Sequence, residues 1–264
     1  MISIICPSRG RPTVAKNLID TSLSTAQHGI EILLYLNDDD PTLEEYRDLI
    51  SHEHIIVGKD RSPVYSYNKL AEISKGDICF LAADHVSFVK ENWDTLVYDK
   101  FRLYKDNIAF VYPSVEHLPH FHSHITKENY DKPHIYEMQE KENIGNAKNM
   151  TDLFCPFYFL HKNWINTVGY FACPVFWHWF CDKYFLNVAQ KIQRVEIIKE
   201  RIIDSIPYKT DQTDRKKHDL CNRERDLWLW ITKKTSRWMI SDAQALQQFI
   251  NEYQTTNSNI ASGG

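Results

Sequence analysis

Glycine is scarce, at 8 of 264 residues, while Tyr (14) and Phe (13) are plentiful, so large side chains are expected in both core and clefts. The 6 cysteines (Cys6, Cys79, Cys155, Cys173, Cys181 and Cys221) are scattered, and no CxxC pair occurs. Most sit in apolar runs, which excludes a disulfide framework and predicts reduced, buried thiols of a cytosolic protein. No apolar run approaches the roughly 20 residues that a bilayer crossing needs. The start, MISIICPSRGRP, lacks the basic stretch and long apolar segment of a secretory signal. Excess positive charge is missing too. A net charge of −4 excludes a generally basic nucleic-acid coat and leaves a local basic patch, such as DRKKHD or QKIQR, as the remaining option. No internal repeat is evident, and no linker divides the chain cleanly.

What is present is the composition of a soluble globular protein, 43% hydrophobic and 25% charged, long enough for one large domain with a substantial core. ISIICPS is a β-branched apolar run cut off at Pro7, a buried strand. From Thr13, the spacing of Val14, Leu18, Ile19 and Leu23 predicts a helix that Gly29 ends. Strand IEILLYL closes at NDDDP; a short helix LEEYRDLI, strand HIIVG and helix SYNKLAEISK, terminated by Gly76, follow. Strand DICFLAA, helix NWDTLVYDKFRLY and strand IAFVYPS complete the alternation. Strands alternating with helices over short links predict an α/β domain with a mostly parallel central sheet, and their continuous apolar character predicts helices on both faces. In such sheets ligands bind at the carboxyl ends of strands, and here the polar stretches PSRGRP, NDDDP, GKDRS and ADH fall at four of those ends.

After Pro113 the pattern changes. VEHLPHFHSHITKENYDKPHIYEMQEKENIGNAKN has little periodicity and reads as a long insertion or flap. Its His117, His120, His122 and His124 suit a mobile, pH-sensitive loop better than a zinc site, since no Cys is interleaved. From Asp182 the spacing of Tyr184, Phe185, Val188, Ala189 and Ile192 predicts a helix packed on one face. RVEIIKERIID reads as one or two strands, LCNRERDLWLWITKK and DAQALQQFINEY as closing helices, and TTNSNIASGG as a frayed, partly non-native end.

The fourth strand stops at Asp84 and His85. A strand end holds a carboxylate rigidly, as a divalent cation that neutralises a diphosphate would require. His85 adds a ligand if the ion is Mn²⁺, which tolerates imidazole. A turn-forming Asp followed by a capping His explains the same pair, and on these residues alone the two readings stand level.

At this point the chain resembles the GT-A glycosyltransferases, in particular the family 2-like members, and short soluble chains of this motif order resemble those encoded by tailed phages. Four pieces match in order: ISIICPSRGRP, ILLYLNDDDP, SPVYSYNKLAEISKGDICFLAADHV and GYFACPVFWHWFCDKYF. The resemblance covers residues 1–100 and continues in patches to Lys217. It implies a glycosyltransferase domain over 1–217, with a donor half of about 1–115 and an acceptor half of about 150–217, followed by a C-terminal helical extension and disordered tail over 218–264. It implies a nucleotide-diphosphate sugar as donor, a UDP-sugar foremost, and Mn²⁺ or Mg²⁺ as cofactor. Pro7, Ser8, Arg9 and Arg11 would line the nucleoside and diphosphate, where the planar fork of Arg suits phosphate. Asp38 or Asp39 would accept from base and ribose, Asn68 would orient the sugar or diphosphate, and Ala83 and Asp84 would complete the donor site. Metal ligands would be Asp84, His85 and Asp204, the last standing where the family places a His. Asp204 as a plain loop carboxylate, and a metal-independent enzyme, stay open alternatives, because Ala82 replaces the usual first Asp of the DxD-type motif.

Asp182 is the general base that the resemblance implies for an inverting transfer, its pKa raised by desolvation beside Phe180 and Tyr184. Trp177, His178 and Trp179 form the acceptor platform, since aromatic faces bind sugars and stack on nucleobases. At least one of the tryptophans faces the core, because alternate residues of an extended segment point opposite ways. The phage resemblance implies a host-cytoplasmic enzyme whose acceptor is a hydroxymethylated pyrimidine in DNA, a base that must leave the stack to react. A cell-surface saccharide acceptor, or an inactive nucleotide-sugar or nucleic-acid binding module, are the alternatives.

Overall fold

The computed structural model describes residues 1–59, 61–114, 156–206, 222, 224–230, 232 and 235–262. The His-rich stretch 117–124 and the basic run Asp214–Asp219 lie outside the described residues.

The chain opens with β1 (Ile2–Ser8), α1 (Pro12–Thr25), β2 (Ile30–Asn37), α2 (Leu43–Leu49), β3 (Ile55–Gly58), α3 (Pro63–Ile73) and β4 (Ile78–Leu81). Then come β5 (Val86–Phe88), α4 (Trp93–Arg102), β6 (Phe110–Pro113), β7 (Tyr158–His161), α5 (Lys162–Val168), α6 (Cys181–Lys191), β8 (Val195–Ile198), β9 (Ile203–Ser205) and α7 (Ser236–Ser262). Among the described residues seven strands form one sheet in the order β3-β2-β1-β4-β7-β6-β8, and β5 pairs with β9 in a separate two-stranded ribbon. β1 lies parallel to β2 and β4, β2 parallel to β3, and β6 parallel to β8, while β7 runs antiparallel between β4 and β6. The sheet is thus mostly parallel, as its apolar strands imply, with one reversed strand that the aromatic-rich sequence around Tyr158 does not announce.

Strand side chains alternate between two hydrophobic layers. Ile5, Leu33, Tyr35, Cys79 and Leu81 face one layer, and Ile4, Leu34, Leu36, Ile78 and Phe80 face the other. The period of two buries both faces because helices cover each. Val64, Tyr67 and Leu70 of α3, Tyr184 and Phe185 of α6, and Met239, Ala243, Leu246 and Ile250 of α7 fill the first layer. Ala15 and Leu18 of α1 and Trp93, Val97 and Phe101 of α4 fill the second. The spacing of the four α7 residues is that of one helical face. The C-terminal segment therefore shares the core of the sheet. α7 runs on to Ser262, which corrects the expectation of a frayed tail from Thr255.

Two local devices aim the strand ends. Pro63 at the first position of α3 and Ser62 before it, whose Oγ accepts from the Tyr65 N–H at 3.0 Å, start that helix sharply. Gly76 does not cap α3, which ends at Ile73. It lets the chain pass β1 closely: a Cβ there would meet Ser3 Oγ at 2.4 Å and Met1 O at 2.8 Å.

Candidate active site

The donor-side expectations converge at the carboxyl ends of β1, β2 and β4. Ser8, the last residue of β1, donates to Asp84 Oδ2 at 2.6 Å. Its Oγ lies 2.6 Å from the Tyr46 hydroxyl, and Tyr46 OH accepts from the Arg11 backbone N–H at 3.0 Å. Since Ser8 spends its proton on the carboxylate, Tyr46 must donate to Ser8. The chain of bonds therefore points one way, from Arg11 N–H through Tyr46 and Ser8 to Asp84. Arg11 also places Nε 2.9 Å from Asp84 Oδ2. Burial, first of all, pushes the Tyr46 hydroxyl well up, which keeps it neutral and a donor.

Asp84 sits in the turn that follows β4, closed by the Val86 N–H donating to Ala83 O at 3.1 Å. Its side chain is 1% exposed. Oδ2 is held twice, but Oδ1 accepts no hydrogen bond among the described residues, and His85 Nδ1 stands 3.6 Å from it. A buried carboxylate oxygen left in this condition is costly unless something positive completes it. Ala82 is wholly buried, and its carbonyl accepts from the Tyr67 hydroxyl at 3.0 Å. An Asp at that position would put a second charge in this buried place.

Asp204 does not complete the Asp84–His85 pair. It lies opposite Ser87 in the β5–β9 ribbon, its Oδ2 pairs with Arg201, and its Oδ1 accepts from the Ser205 N–H at 2.9 Å. Just after β9, the Ile206 N–H donates to His85 O at 2.9 Å and ties the ribbon to the turn. Among the described residues no group of three His, Cys, Asp or Glu side chains is placed to hold an ion. The structure does not bring Asp204 together with Asp84 and His85 as the expected ligand set required, because Arg201 takes its carboxylate.

Of the aspartates after β2, Asp38 and Asp39 are exposed and Asp40 is buried. Arg9 reaches across to Asp39 with both Nη atoms, Nη2 to Oδ2 at 3.2 Å, so two predicted donor contacts meet at one rim. The Asp38 N–H donates to Gly58 O at 2.8 Å, which fixes that residue at the end of β2. Asp40 is the structural member: it accepts from the Gly10 N–H at 2.9 Å and from the Thr42 N–H and hydroxyl at 2.9 and 2.8 Å. Gly10, at φ +66°, turns the Pro7–Arg11 loop through a conformation that disfavours a side chain. Pro7 keeps that loop on β1, where it pairs with Tyr35.

The acceptor-side residues come from the segment before α6. Asn68, expected at the donor, is bonded to this segment. Its Oδ1 accepts from the Phe171 and Ala172 N–H groups, each at 2.8 Å, and its Nδ2 donates to Ala172 O at 2.7 Å. These bonds pin this loop to α3 and leave one Nδ2 hydrogen beyond them. Further on, the Val64 N–H donates to Trp177 O at 3.3 Å. Trp177 and His178 are half-buried, whereas Trp179 is 39% exposed. Phe180, at φ +71°, turns the chain into α6, where Asp182 is the second residue. Burial pushes the Asp182 carboxyl up, against the lowering effect of Lys183. Between the halves lies Tyr67, whose hydroxyl burial pushes up and which feels Cys6, Cys181 and Asp84 besides Arg11.

Sequence reasoning missed Asp40, Tyr46, Tyr67 and Asp226. Asp40 carries a local signal, since an Asp two residues before Thr42 forms a side-chain turn. Asp226 carries none. It is wholly buried and accepts from the Trp177, His178 and Trp179 N–H groups at 2.9–3.0 Å.

No family model and no curated protein matches the chain in sequence. In fold it matches Staphylococcus aureus TarS residues 1–349 in complex with UDP, with a TM-score of 0.51 and 11% identity over 77% of this chain. It spans about 60% of that protein's length. It also matches glucosyl-3-phosphoglycerate synthase from Mycobacterium tuberculosis in complex with Mg²⁺ and UDP, with a TM-score of 0.53 and 9% identity over 80% of this chain and 73% of that one. The mannosyltransferase PcManGT from Pyrobaculum calidifontis, in complex with GDP-Man and Mn²⁺, gives a TM-score of 0.50 and 10% identity over 98% of this chain and 80% of that one. At such identities the likeness carries architecture alone, and that architecture is the GT-A fold: one mostly parallel α/β sheet with its polar strand ends gathered on a single edge.

Proposed function

We propose that this chain is a glycosyltransferase that moves a sugar from a nucleotide-diphosphate sugar, a UDP-sugar foremost, to an acceptor hydroxyl with inversion. The observation that carries the reading is the buried Asp84 at the end of β4, tied to Ser8 and Arg11 on the same sheet edge where Arg9 meets Asp39. These groups suit a diphosphate: two guanidinium groups for its charge, and carboxylates for base and ribose hydroxyls. Asp84 Oδ1, buried and without a hydrogen bond among the described residues, fits a divalent cation. Asp84 with His85 would hold it, and two protein ligands leave room for phosphate oxygens and water, as Mg²⁺ and Mn²⁺ require. Bound there, Mn²⁺ or Mg²⁺ supplies charge neutralisation for the departing diphosphate.

The residues of the chain do the rest. Asp182, with a raised carboxyl pKa, takes the proton of the acceptor hydroxyl while that oxygen bonds to the anomeric carbon. The bond from that carbon to the diphosphate breaks on the opposite face, and Arg9 and Arg11 receive the leaving charge. The exposed Trp179, three residues before Asp182, offers a flat face to the acceptor. A hydroxymethylated pyrimidine in DNA is the acceptor to assay first, and a cell-surface saccharide second. Incubation with UDP-glucose, UDP-N-acetylglucosamine or GDP-mannose and hydroxymethyl-containing DNA, followed by nucleoside mass spectrometry, is expected to show a gain of one hexose or N-acetylhexosamine. No mass gain with any donor removes DNA. A thermal-shift series with the same donors, with and without Mn²⁺, reads donor binding by itself. No stabilisation by any of them removes the transferase.

A further inference from the structure

The segment just before α6 turns three successive backbone N–H groups toward one point, and the point is filled from the far end of the chain. Asp226 accepts from Trp177 at 2.9 and 3.0 Å through its two oxygens, from His178 at 2.9 Å and from Trp179 at 3.0 Å. The residue is 0% exposed. Arg225 Nη1 lies 3.1 Å from its Oδ1, and Arg225 Nη2 donates to Val175 O at 3.3 Å. Four residues on, Trp230 stacks on Phe180 with ring centroids 5.6 Å apart and planes 13° apart. Bonds from several N–H groups to one carboxylate are charge-assisted and strong, and a concave run of backbone N–H groups needs an anion to hold its shape. From α3 the arm receives the Val64 N–H, which donates to Trp177 O at 3.3 Å. Asp182 is the second residue of α6 and stands three residues after Trp179, so the arm's shape sets where the carboxylate points.

We infer that Asp226 is a positioning residue for the acceptor half: it holds the Trp177–Trp179 arm and, through Phe180, the direction of Asp182. This rests on the transferase reading above. It makes the C-terminal segment part of the machinery for sugar transfer and not an appendage to it.

The test compares the full chain with Asp226→Asn, Asp226→Ala and Asp182→Asn in three measurements. These are amide hydrogen exchange, UDP binding, and release of nucleoside diphosphate from UDP-glucose, UDP-N-acetylglucosamine and GDP-mannose with Mn²⁺ present. Exchange at the Trp177, His178 and Trp179 amides is expected to rise about tenfold or more in both Asp226 variants while β1 and β2 stay protected. UDP affinity should stay within about twofold, and turnover should fall roughly 100-fold at unchanged donor KM, since a misplacement of about 1 Å costs that much. Asp226→Asn keeps the shape of the residue, so it reads the effect even if Asp226→Ala does not fold. Unchanged exchange at the three amides overturns the proposal. So does faster exchange with turnover near the wild-type rate. No release by the wild type with any donor is a distinct result: it is the failure of the transferase reading, and it takes the proposal down with it.

Discussion

Replacing Asp84 by Asn keeps its shape and removes its charge, which separates its two duties. In stability, Arg11 loses its anion. The Asp84 side chain is 1% exposed and that of Arg11 28%, so the pair is buried on one side and wetted on the other. Removing one partner of a fully buried pair costs about 3–5 kcal/mol. Water reaching Arg11 reduces this to roughly 2 kcal/mol. For a chain of this size that is a fall in Tm of about 4–8 °C. Ser8→Ala is the control. It removes one hydrogen bond to the same carboxylate and the acceptor of the Tyr46 hydroxyl, together about 2–3 kcal/mol, and leaves the charge in place. In binding, a neutral amide oxygen is a poorer ligand for a hard cation than a carboxylate. Titration calorimetry with UDP is therefore expected to show Mn²⁺-enhanced affinity in the wild type and in Ser8→Ala, and none in Asp84→Asn. Metal-free affinity should differ little. If Mn²⁺ still raises UDP affinity in Asp84→Asn, Asp84 is not the ion's ligand. A Tm within about 1 °C of the wild type would refute the pairing with Arg11.

Asp182→Asn should abolish turnover, by about 100-fold or more, with UDP binding unchanged. Because burial raises the Asp182 carboxyl, the acid limb of the rate–pH profile should lie above the ordinary carboxylate range near 4. The same shift has a stability sign. A carboxyl whose folded pKa is raised favours the fold while protonated, so its contribution is lost as pH rises through the folded value. Asp182→Asn should therefore gain stability relative to the wild type over that window in thermal melts. Leu246→Ala in α7 should cost about 3 kcal/mol by chemical denaturation, since Leu246 is 0% exposed in the layer shared with β4 and α6. A near-neutral result would mean that α7 folds apart from the sheet.

The strands were legible because both sheet faces are covered, which leaves apolar runs bounded by polar loops, and a polar loop at a carboxyl end marks the working edge. Asp84 could be picked out because it interrupts such a run. Asp40 was hidden among three consecutive aspartates, and only burial separates it from Asp38 and Asp39. β7 was hidden because Tyr158–His161 lies in a segment aromatic throughout, where no alternation distinguishes strand from loop. Asn68 was assigned to the donor by the resemblance alone, since an Asn on a helix bears no mark of what its amide will bond. Its real partners, Phe171 and Ala172, are more than 100 residues away in sequence. Backbone groups bear no sequence signature, so side chains that bond to distant backbone cannot be read from spacing.

That limitation matters most at α3, where three nearby residues each hold a different part of the edge. Tyr67 bonds to Ala82 O, two residues before Asp84. Asn68 clamps Phe171 and Ala172. Val64 bonds to Trp177 O, within the arm that leads to Asp182. The helix is itself fixed by Ser62 and Pro63 at its start and by Leu70 packed under β1 and β2. On the mechanism proposed above, a diphosphate gripped on one wall and a proton taken on the other would require the two walls to keep their separation to within a fraction of an ångström. Loops alone would not hold that, because loop backbone fluctuates more than the elements it joins. By tying both walls to one rigid helix, the chain converts a distance between loops into a distance along α3, a rise of about 1.5 Å per residue that hardly varies.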